Sequence, residues 1–450
     1  MDMDGVLDAR GEALAKHFRT KQAKVGVIGL GYVGLPICLA ATNCGLEVLG
    51  FDIDPAKPAA IHRGESYLRH IPADAISAAV STERFRATSD LSRLGEPDAL
   101  LICVPTPLTG HFEPDLTFVV STAESIAHHL RSGQLVVLES TTYPGTTSEV
   151  LRPILEKSGL VCDRDFFIAF SPEREDLGNA QFTMSCIPKV IGADSPVALQ
   201  LTAALYDNFA TQTIKVSTSR IAEAVKLTEN IFRAVNVALV NELKVVYEAM
   251  GVDVWEVIDA AKTKPFGFMP FYPGPGLGGH CIPIDPFYLT WKAREFGIST
   301  RFIELAGQIN SSMPQHVTSK LAIALDMHQK KGLNGSRILI LGVAYKRNVD
   351  DMRESPALRL IEIIEARGAI TAFYDPFVPI IPHTREHRAL AGRHSERWSQ
   401  MLPRDYDAVL IVTDHDGVDY RAIVEQATLV VDTRNACRRA GVLSPKVVLA

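Results

Sequence analysis

The sequence lacks the features that would place this chain in a membrane or in an oxidising compartment. Its seven cysteines are scattered, without a CxxC pair or a His/Cys cluster, so we expect neither a disulfide framework nor a metal site. There is no run of about 18 apolar residues, as a membrane span would need. Residues 1–24 contain no apolar stretch and do not resemble a signal peptide. These absences predict a cytoplasmic protein without a membrane partner.

An excess of positive charge is also missing. Lys and Arg number 46 against 52 Asp and Glu, a formal net charge of -6, whereas proteins that bind nucleic acid present a basic face. Nucleic acid is therefore not an expected partner. A small phosphate-bearing ligand remains compatible with this charge, because a few amides and cations are enough to bind it. The length of 450 residues exceeds what one hydrophobic core supports, which predicts two or three domains.

Two series of strand and helix patterns organise the chain. From Lys24, and again from Arg337, short apolar runs alternate with helical patterns, which is typical of parallel sheets. The runs predict six strands in the first series and four in the second. Residues 220–250 contain neither Gly nor Pro and carry apolar residues at helical spacing, which predicts one long helix.

The expected fold class is therefore α/β, with two Rossmann-like doubly wound domains joined by a long central helix and a helical connector. The predicted parts are an N-terminal extension (1–23), a first Rossmann domain (24–215), a central helical domain (216–330) and a second Rossmann-like domain (331–450).

A glycine-rich segment follows the first predicted strand. Gly29–Gly34 reads G-x-G-x-x-G and leads into a helix predicted to begin near Tyr32. In such a loop the glycines permit a tight turn, close approach of a pyrophosphate and close packing of helix on strand. Asp52 ends the second predicted strand, where an acid binds ribose hydroxyls and disfavours a 2′-phosphate. The pattern predicts NAD as cofactor. The cofactor-binding residues expected here are Gly29, Gly31, Tyr32, Val33, Gly34, Asp52 and Lys57.

A second glycine-rich segment contains a cysteine. Gly274–Pro286 reads GPGLGGHCIPIDP, with four glycines before Cys281 and Asp285 after it. A cysteine in this setting can attack an aldehyde, and the resulting thiohemiacetal can lose a hydride to become a thioester. Oxidation of an alcohol to an aldehyde needs no nucleophile, so Cys281 predicts oxidation to an acid. The alternative is that Cys281 is a small buried hydrophobic residue.

Several polar residues are candidates for the remaining chemistry. Lys226 and Asn230 are spaced i,i+4 on the predicted long helix and share a face, where they would stabilise an oxyanion and orient water. The alternative is a solvated lysine and a surface asparagine. Thr141 and Glu173 follow predicted strands of the first sheet, where ligands of parallel sheets gather, although either can equally be a cap or turn residue.

The second Rossmann-like half differs from the first in its loop. It has only Gly342 where the first half has three glycines, so we expect it to hold a ligand other than NAD. Lys346 and Arg353 are candidate cationic contacts for that ligand. The alternative is that both are exposed surface charges.

Taken together, these motifs resemble the UDP-glucose/GDP-mannose dehydrogenase family. The resemblance spans about residues 24–435 and rests on the motifs GLGYVGLP, VPTP, STTYPGTT, SPERED, KLTEN, GLGGHCIPIDP and VDDMRESPAL. SPERED, and KPFGF before YPGPGLGGHC, look most like the bacterial branch that oxidises UDP-N-acetylglucosamine to its uronic acid for surface polysaccharide synthesis. The chain departs from the family in two places. After SPE many relatives carry an apolar pair and a second carboxylate, whereas this chain has Arg174, Glu175 and Asp176, and some relatives have a subunit-crossing arginine in the loop before the cysteine, which Lys264–Phe268 lacks.

The resemblance implies a UDP-sugar substrate, two NAD per turnover and a homodimer or higher oligomer formed around the long helix. Cys281 would be the nucleophile, Lys226 and Asn230 would hold the oxyanion and water, and Asp285 would assist proton transfer. The catalytic residues implied are Cys281, Lys226, Asn230, Asp285, Glu173 and Thr141. Thr106 and Thr141 are implied near the cofactor. The substrate-binding residues implied are Glu173, Arg174, Lys226, Asn230, Phe271, Tyr272, Gly278, Lys346 and Arg353.

Other activities are compatible with parts of this pattern. The same chemistry on UDP-N-acetylgalactosamine, UDP-N-acetylmannosamine or UDP-glucose differs only by a hydroxyl orientation or an acetamido group. A two-electron hydroxy-acid dehydrogenase would share the first domain and the Lys226–Asn230 face. It would have no use for Cys281 or for a second nucleotide-binding half.

Overall fold

The computed structural model divides into two compact units. It describes residues 9–111, 113–175, 186–279, 282–384 and 386–450. The first unit runs to Glu229 and includes Phe287–Ile298, and the second consists of Asn230–Pro286 and Ser299–Ala450. His280 and Cys281 lie outside the described residues.

An eight-stranded sheet forms the centre of the first unit, as far as its residues are described. Its strands are β1 (Lys24–Ile28), β2 (Glu47–Phe51), β3 (Phe85–Thr88), β4 (Ala99–Ile102), β5 (Leu135–Leu138), β6 (Phe167–Phe170), β7 (Lys189–Gly192) and β8 (Thr213–Val216). Their order is β3-β2-β1-β4-β5-β6-β7-β8, and β7 runs antiparallel to β6 while the other pairs are parallel. The strand order reverses between β1 and β4, where such sheets bind ligands at their carboxyl edge.

Hydrophobic residues cover both faces of this sheet. In β4, Leu101 packs into one core cluster whereas Leu100 and Ile102 pack into another on the opposite face. Strands buried on both faces have continuous apolar sequences, which is why the central strands were predictable. The helices beginning in this unit are α1 (Ala9–Arg19), α2 (Gly34–Asn43), α3 (Ala56–His62), α4 (Ala73–Ser81), α5 (Thr117–His129), α6 (Arg152–Leu155), α7 (Pro196–Tyr206) and α8 (Ser219–Ala249).

Two helices can be compared directly with the sequence expectations. The long helix predicted over residues 220–250 is α8, and the unit boundary falls within it. Helix α2 begins at Gly34 rather than near Tyr32, because Gly31–Val33 form a turn before the helix. The segment predicted as an extension contains α1, whose Phe18 is fully buried and accepts a hydrogen bond from Asn208.

The second unit contains a parallel sheet, five-stranded in its described part. Its strands are β9 (Arg337–Leu341), β10 (Ile370–Tyr374), β11 (Ala408–Ile411), β12 (Val430–Asp432) and β13 (Val447–Leu449), in the order β10-β9-β11-β12-β13. The remaining helices are α9 (Val254–Ala261), α10 (Asp285–Glu295), α11 (Arg301–Gln329), α12 (Pro356–Ala366), α13 (Tyr420–Gln426) and α14 (Ala436–Arg439). The prediction of two Rossmann-like sheets and a long central helix is confirmed.

Two kinds of feature are absent from the described ranges. Every helix there is either too short or too polar to span a bilayer. The same ranges hold no group of three or more His, Cys, Asp or Glu side chains placed to bind a metal ion.

Candidate active site

The glycine loop between β1 and α2 leaves its backbone open on one side. Gly29 has φ +93°, and a Cβ there would lie 2.5 Å from the carbonyl oxygen of Cys103. A Cβ on Gly34 would lie 1.9 Å from the carbonyl oxygen of Gly29, so both positions require glycine. At Gly31 no described atom lies within 4 Å of the corresponding position. The loop therefore combines a tight turn with an accessible backbone, as a pyrophosphate site needs.

Asp52 is fixed beside this loop at the carboxyl end of β2. The residue is buried, and its Oδ2 accepts a hydrogen bond from Leu30 N at 2.9 Å. Lys57 Nζ lies 2.8 Å from the same oxygen and remains partly exposed. The acid is thus held where ribose hydroxyls bind in such folds, and Lys57 balances part of its charge. Together with the glycine loop, it forms a site that fits NAD.

The other predicted cofactor contacts lie around the same edge of the sheet. The ring of Tyr32 stacks on that of His70, with the ring centroids 5.4 Å apart. Val33 is the next residue of the same loop. Thr106 is buried, and its carbonyl oxygen accepts a hydrogen bond from the Tyr288 hydroxyl at 2.8 Å. These contacts tie the loops that follow β1 and β4 to neighbouring parts of the first unit.

The loop after β5 contains Thr142, a residue that the sequence analysis missed. Thr141 is partly exposed, whereas Thr142 is fully buried and its hydroxyl has no partner among the described residues. Glu223 of α8 anchors this loop by accepting hydrogen bonds from Gly145 N at 2.5 Å and Thr147 N at 2.8 Å. Burial raises the pKa of the Glu223 carboxyl to about 7. The motif STTYPGTT offers no signal that separates the two adjacent threonines.

A buried cluster of charges lies where β5, β6 and β7 meet. Because β7 is antiparallel to β6, its first residue, Lys189, lies near Glu173, which follows β6. Lys189 Nζ is 2.7 Å from an oxygen of Glu139 and 3.2 Å from Oε2 of Glu173. The Tyr206 hydroxyl donates to the other oxygen of Glu139. Of these residues the sequence analysis singled out only Glu173, because the other three are distant from it in the chain.

The pKa values of the two carboxyl groups in this cluster are shifted in opposite directions. Burial raises the pKa of the Glu139 carboxyl, despite the opposing charge of Lys189. Burial acts in the same direction on Glu173, but the charge of Lys189 and the backbone N–H groups of Glu175 and Arg174 bring the pKa of Glu173 below its ordinary value. Burial acts to lower the pKa of Lys189, yet the two carboxylates raise it above its ordinary value. Glu173 therefore stays ionised to lower pH than Glu139 does.

Lys226 and Arg174 connect this cluster to α8. Lys226 is buried, and its Nζ donates to the carbonyl oxygen of Glu173. The Arg174 guanidinium binds Oε1 of Glu229 with two nitrogens, at 2.9 and 2.6 Å, and donates to the Pro188 carbonyl. The structure thus brings together Glu173 and Lys226, while Arg174 is held against α8.

In the second unit, two predicted catalytic residues are in contact. Asn230 Nδ2 donates to Oδ2 of Asp285 at 2.5 Å, and both residues are buried. Asp285 is the first residue of α10. Asn230 lies one helical turn beyond Lys226 on α8, as its spacing predicted.

The second glycine loop packs closely against the segment after β9. A Cβ on Gly278 would lie 2.7 Å from Cβ of Tyr345, and Gly279 has φ +87° with the Tyr345 ring equally close. Gly279 N donates to the Arg353 carbonyl at 2.9 Å, while the Arg353 guanidinium pairs with Asp351. The glycines are therefore required by packing against residues 345–353, which include the predicted contacts Lys346 and Arg353.

The start of this loop is anchored by further side chains. Asn241 of α8 accepts a hydrogen bond from Gly274 N and donates to Asn310, both at 2.9 Å. Phe271 packs edge-on against Phe232, and Tyr272 stacks on Trp255. Asn241 escaped the sequence analysis, although a buried asparagine among the apolar residues of a helix signals a specific partner.

An acid of the second sheet lies at the place that Asp52 occupies in the first. Asp375 follows β10 as Asp52 follows β2, and its Oδ2 accepts hydrogen bonds from Val343 N at 2.7 Å and Ala344 N at 3.1 Å. His415 Nε2 lies 3.1 Å from the same oxygen. The carboxylate thus holds the turn after β9, as Asp52 holds the turn after β1.

Three models of known protein families match successive parts of the chain. The NAD binding domain of the UDP-glucose/GDP-mannose dehydrogenase family matches residues 23–210, the central domain 220–312, and the UDP binding domain 339–439. The chain belongs to this family. It is therefore an NAD-dependent oxidoreductase, a nucleotide-sugar 6-dehydrogenase, and the predictions of NAD and of a UDP-sugar-binding domain are confirmed.

Individual relatives of the family differ in their sugar. The chain is 37% identical to UDP-N-acetyl-D-glucosamine 6-dehydrogenase of Pseudomonas aeruginosa, over 80% of this chain and 84% of that protein. It is 33% identical to UDP-N-acetyl-D-mannosamine dehydrogenase of Pyrococcus horikoshii, over 92% and 95%. The solved structure of a UDP-D-ManNAc dehydrogenase from that organism superimposes with a TM-score of 0.84 at 32% identity, covering 95% of this chain and 98% of the other.

Proposed function

We propose that the chain is a cytoplasmic enzyme that oxidises the C6 alcohol of UDP-N-acetylglucosamine to the uronic acid, a precursor of surface polysaccharide. The choice of sugar is supported by the 37% identity to the Pseudomonas aeruginosa enzyme of that name over 80% of this chain, against 37% over 76% for UDP-N-acetyl-D-mannosamine dehydrogenase of Escherichia coli. The motifs SPERED and KPFGF support the same branch. Residues 24–215 would hold NAD, residues 216–330 would contribute the catalytic loop, and residues 331–450 would hold the UDP-sugar.

The chemistry assigns a separate task to each polar residue. Bound NAD supplies the acceptor for each of the two hydrides that the sugar carbon loses. The Cys281 thiolate adds to the aldehyde carbon, which forms the C–S bond of a thiohemiacetal, and loss of the second hydride leaves a thioester. Lys226 and Asn230 stabilise the oxyanion that develops in these steps. Asp285, which accepts a hydrogen bond from Asn230, moves protons to and from this centre.

Hydrolysis of the thioester completes the reaction. Glu173 orients the water and accepts its proton as the new C–O bond forms, and the C–S bond then breaks to release the carboxylate and the Cys281 thiolate. One alcohol, one water and two NAD⁺ thus give one carboxylate, two NADH and three protons. The low pKa of Glu173 keeps it ionised for this step.

A panel of purified UDP- and GDP-sugars tests the proposal. Absorbance of NADH gives the initial rates and, at completion, the NADH formed per sugar, while mass spectrometry identifies each product. We expect UDP-N-acetylglucosamine to give the highest kcat/KM and two NADH per sugar. One NADH per sugar would support a two-electron dehydrogenase instead.

A second sugar is favoured by a specific observation. The solved structure with a TM-score of 0.84 is that of a UDP-D-ManNAc dehydrogenase, so UDP-N-acetylmannosamine is the alternative substrate. If the same panel gives a higher kcat/KM for UDP-N-acetylmannosamine, that sugar becomes the proposed substrate. The four-electron chemistry stays the same.

Replacement of Asp52 by Ala should lower the preference for NAD over NADP by about 10- to 100-fold. Hydrogen bonds from ribose hydroxyls to a carboxylate contribute about 1.5–3 kcal/mol, and the carboxylate repels a 2′-phosphate. The change also releases Lys57, now 2.8 Å from Asp52 Oδ2, to meet that phosphate. The ratio of kcat/KM values for the two cofactors measures the effect.

The double variant Asp52→Ala/Lys57→Ala is the control. It should lose NAD activity as the single variant does, but it should gain no NADP activity, because the cation is also missing. An unchanged cofactor ratio in the single variant would remove Asp52 from the cofactor site.

The long helix carries the proposed homodimer contact. Phe232, Leu239 and Val246 are spaced seven residues apart on α8, and each is between 46% and 49% exposed, which places a continuous apolar stripe on its surface. We expect Leu239→Asp to shift the protein from dimer to monomer in sedimentation velocity runs. Arg233→Asp, about 100° away around the helix from Phe232, introduces the same carboxylate and should leave the dimer intact. A wild-type monomer at micromolar concentration would contradict the proposal.

A further inference from the structure

We propose that Lys189 is a positioning residue that holds the Glu173 carboxylate ionised and in one orientation for hydrolysis of the thioester. The inference rests on the proposed role of Glu173 as the residue that activates water. It adds to that role a buried support, formed by Lys189, Glu139 and Tyr206, which the chemistry above does not use.

The exposed fractions of the three charged side chains show which of them lies nearest to solvent. The side chain of Glu139 is fully buried, that of Lys189 is 5% exposed, and that of Glu173 is 15% exposed. Lys189 therefore lies behind Glu173, and Glu173 is the member that solvent reaches most easily. Because Lys189 is so deeply buried, its effect on the reaction must pass through Glu173.

Hydrogen bonds fix the Glu173 carboxylate from two sides. Its Oε1 accepts from Arg174 N at 2.6 Å and from Glu175 N at 2.7 Å, while its Oε2 accepts from Lys189 Nζ at 3.2 Å. A carboxylate oxygen has two acceptor positions, so Oε2 keeps one for a water molecule. The arrangement thus fixes the rotamer and leaves an acceptor for the proton that hydrolysis releases.

Glu139 and Tyr206 explain how Lys189 itself is held. Lys189 Nζ makes its shorter contact, 2.7 Å, with Glu139, whose other oxygen accepts the Tyr206 hydroxyl. Glu139 thus anchors the lysine beneath Glu173. The charged and titratable groups facing Glu173 in the described chain are Lys189, Glu139, Tyr206, Cys103, Lys226 and the Arg174–Glu229 pair.

The sign of the expected effect follows from these charges. Without Lys189, burial and the neighbouring Glu139 would both favour the protonated form of Glu173, so its pKa would rise. A step that needs the carboxylate would then fail first at low pH. The acid limb of the pH–rate profile should consequently move to higher pH.

We therefore expect Lys189→Met to shift the acid limb of the kcat profile upward by about one to two pH units, which reduces the rate about 10- to 100-fold at pH values below that limb. Lys189→Arg should recover most of this loss because it restores the positive charge. Profiles measured from about pH 5 to pH 9 with the preferred UDP-sugar, together with NADH per sugar, check the result. Lys292→Met is the matched control: Lys292 is also a buried lysine of the first unit, but it pairs with Glu149 and Glu295, so its profile should not shift.

The double variant Glu139→Gln/Lys189→Met separates positioning from a structural role. Both charges of the buried pair are removed, so thermal stability should recover relative to Lys189→Met. If Lys189 were only structural, the pH profile would recover as well, whereas the positioning role requires the acid limb to stay above that of the wild type, because burial still favours the protonated form of Glu173. If Lys189→Met fails to fold, the pH–rate profile of the double variant tests the inference instead.

Glu173→Gln distinguishes failure of this inference from failure of the proposed function. Full activity of Glu173→Gln would overturn the proposed role of Glu173 and the inference with it. Loss of activity in Glu173→Gln, combined with a wild-type profile for Lys189→Met, would overturn the role of Lys189 alone.

Discussion

Replacement of Cys281 by Ser should abolish formation of the uronic acid, with a loss of about 10³-fold or more in turnover. A serine hydroxyl is a weak nucleophile unless a neighbouring base activates it, so the aldehyde would not be captured as a covalent adduct. NAD binding should stay close to wild type, since the residues proposed for that site, Gly29–Gly34 and Asp52, belong to another part of the chain. Rates of NADH formation, product masses and an NAD titration of the purified variant test both statements.

Cys44→Ser provides the control for this prediction. Cys44 is partly buried in the first unit, and its thiol donates to the Ala41 carbonyl, a bond that a serine hydroxyl can also make. We expect this variant to keep normal turnover. If Cys281→Ser still releases two NADH per sugar at the wild-type rate, the covalent mechanism is wrong, and water must instead attack the aldehyde directly.

The central strands could be predicted because their environment is uniform. Strands β4 and β5 are apolar along their length, as β1 is after Lys24, and they are covered on both faces, which produces a continuous signal. Strands β3 and β8 lie at the edges of the first sheet, and their sequences, FRAT and TIKV, mix polar and apolar residues. The apolar runs predicted six strands in the first half and missed these two, because a half-exposed edge strand has no such signature.

In the candidate site, relations between residues close in the sequence were predictable, whereas contacts between distant residues were not. The i,i+4 spacing of Lys226 and Asn230 follows from helix geometry alone and was predictable. The contact between Asn230 and Asp285 joins residues 55 positions apart, and that between Lys189 and Glu139 joins residues 50 apart. No spacing rule reaches so far. These partners become visible only when the antiparallel β7 returns Lys189 to the edge of the sheet where Glu173 lies.

Lys226→Met should lower kcat by about 10²- to 10³-fold, the usual cost of removing one donor to a developing oxyanion. The positive charge of Lys226 matters most when the oxygen of the sugar carbon becomes negative, so KM for the UDP-sugar should change much less than kcat. Methionine keeps most of the buried volume, and the Glu173 carbonyl loses one donor. Steady-state kinetics with the preferred UDP-sugar give both constants.

Another lysine of α8 shows whether such a loss comes from the role of Lys226 or from the removal of any buried lysine. Lys244 is also buried, and its Nζ has no hydrogen-bond partner among the described residues. Burial lowers the pKa of Lys244 to about 8, so methionine replaces a group that is costly to charge there. We expect Lys244→Met to keep kcat near wild type. A kcat of Lys226→Met within twofold of wild type would remove Lys226 from the chemistry, and Asn230 with its partner Asp285 would then be the remaining candidate for stabilising the oxyanion.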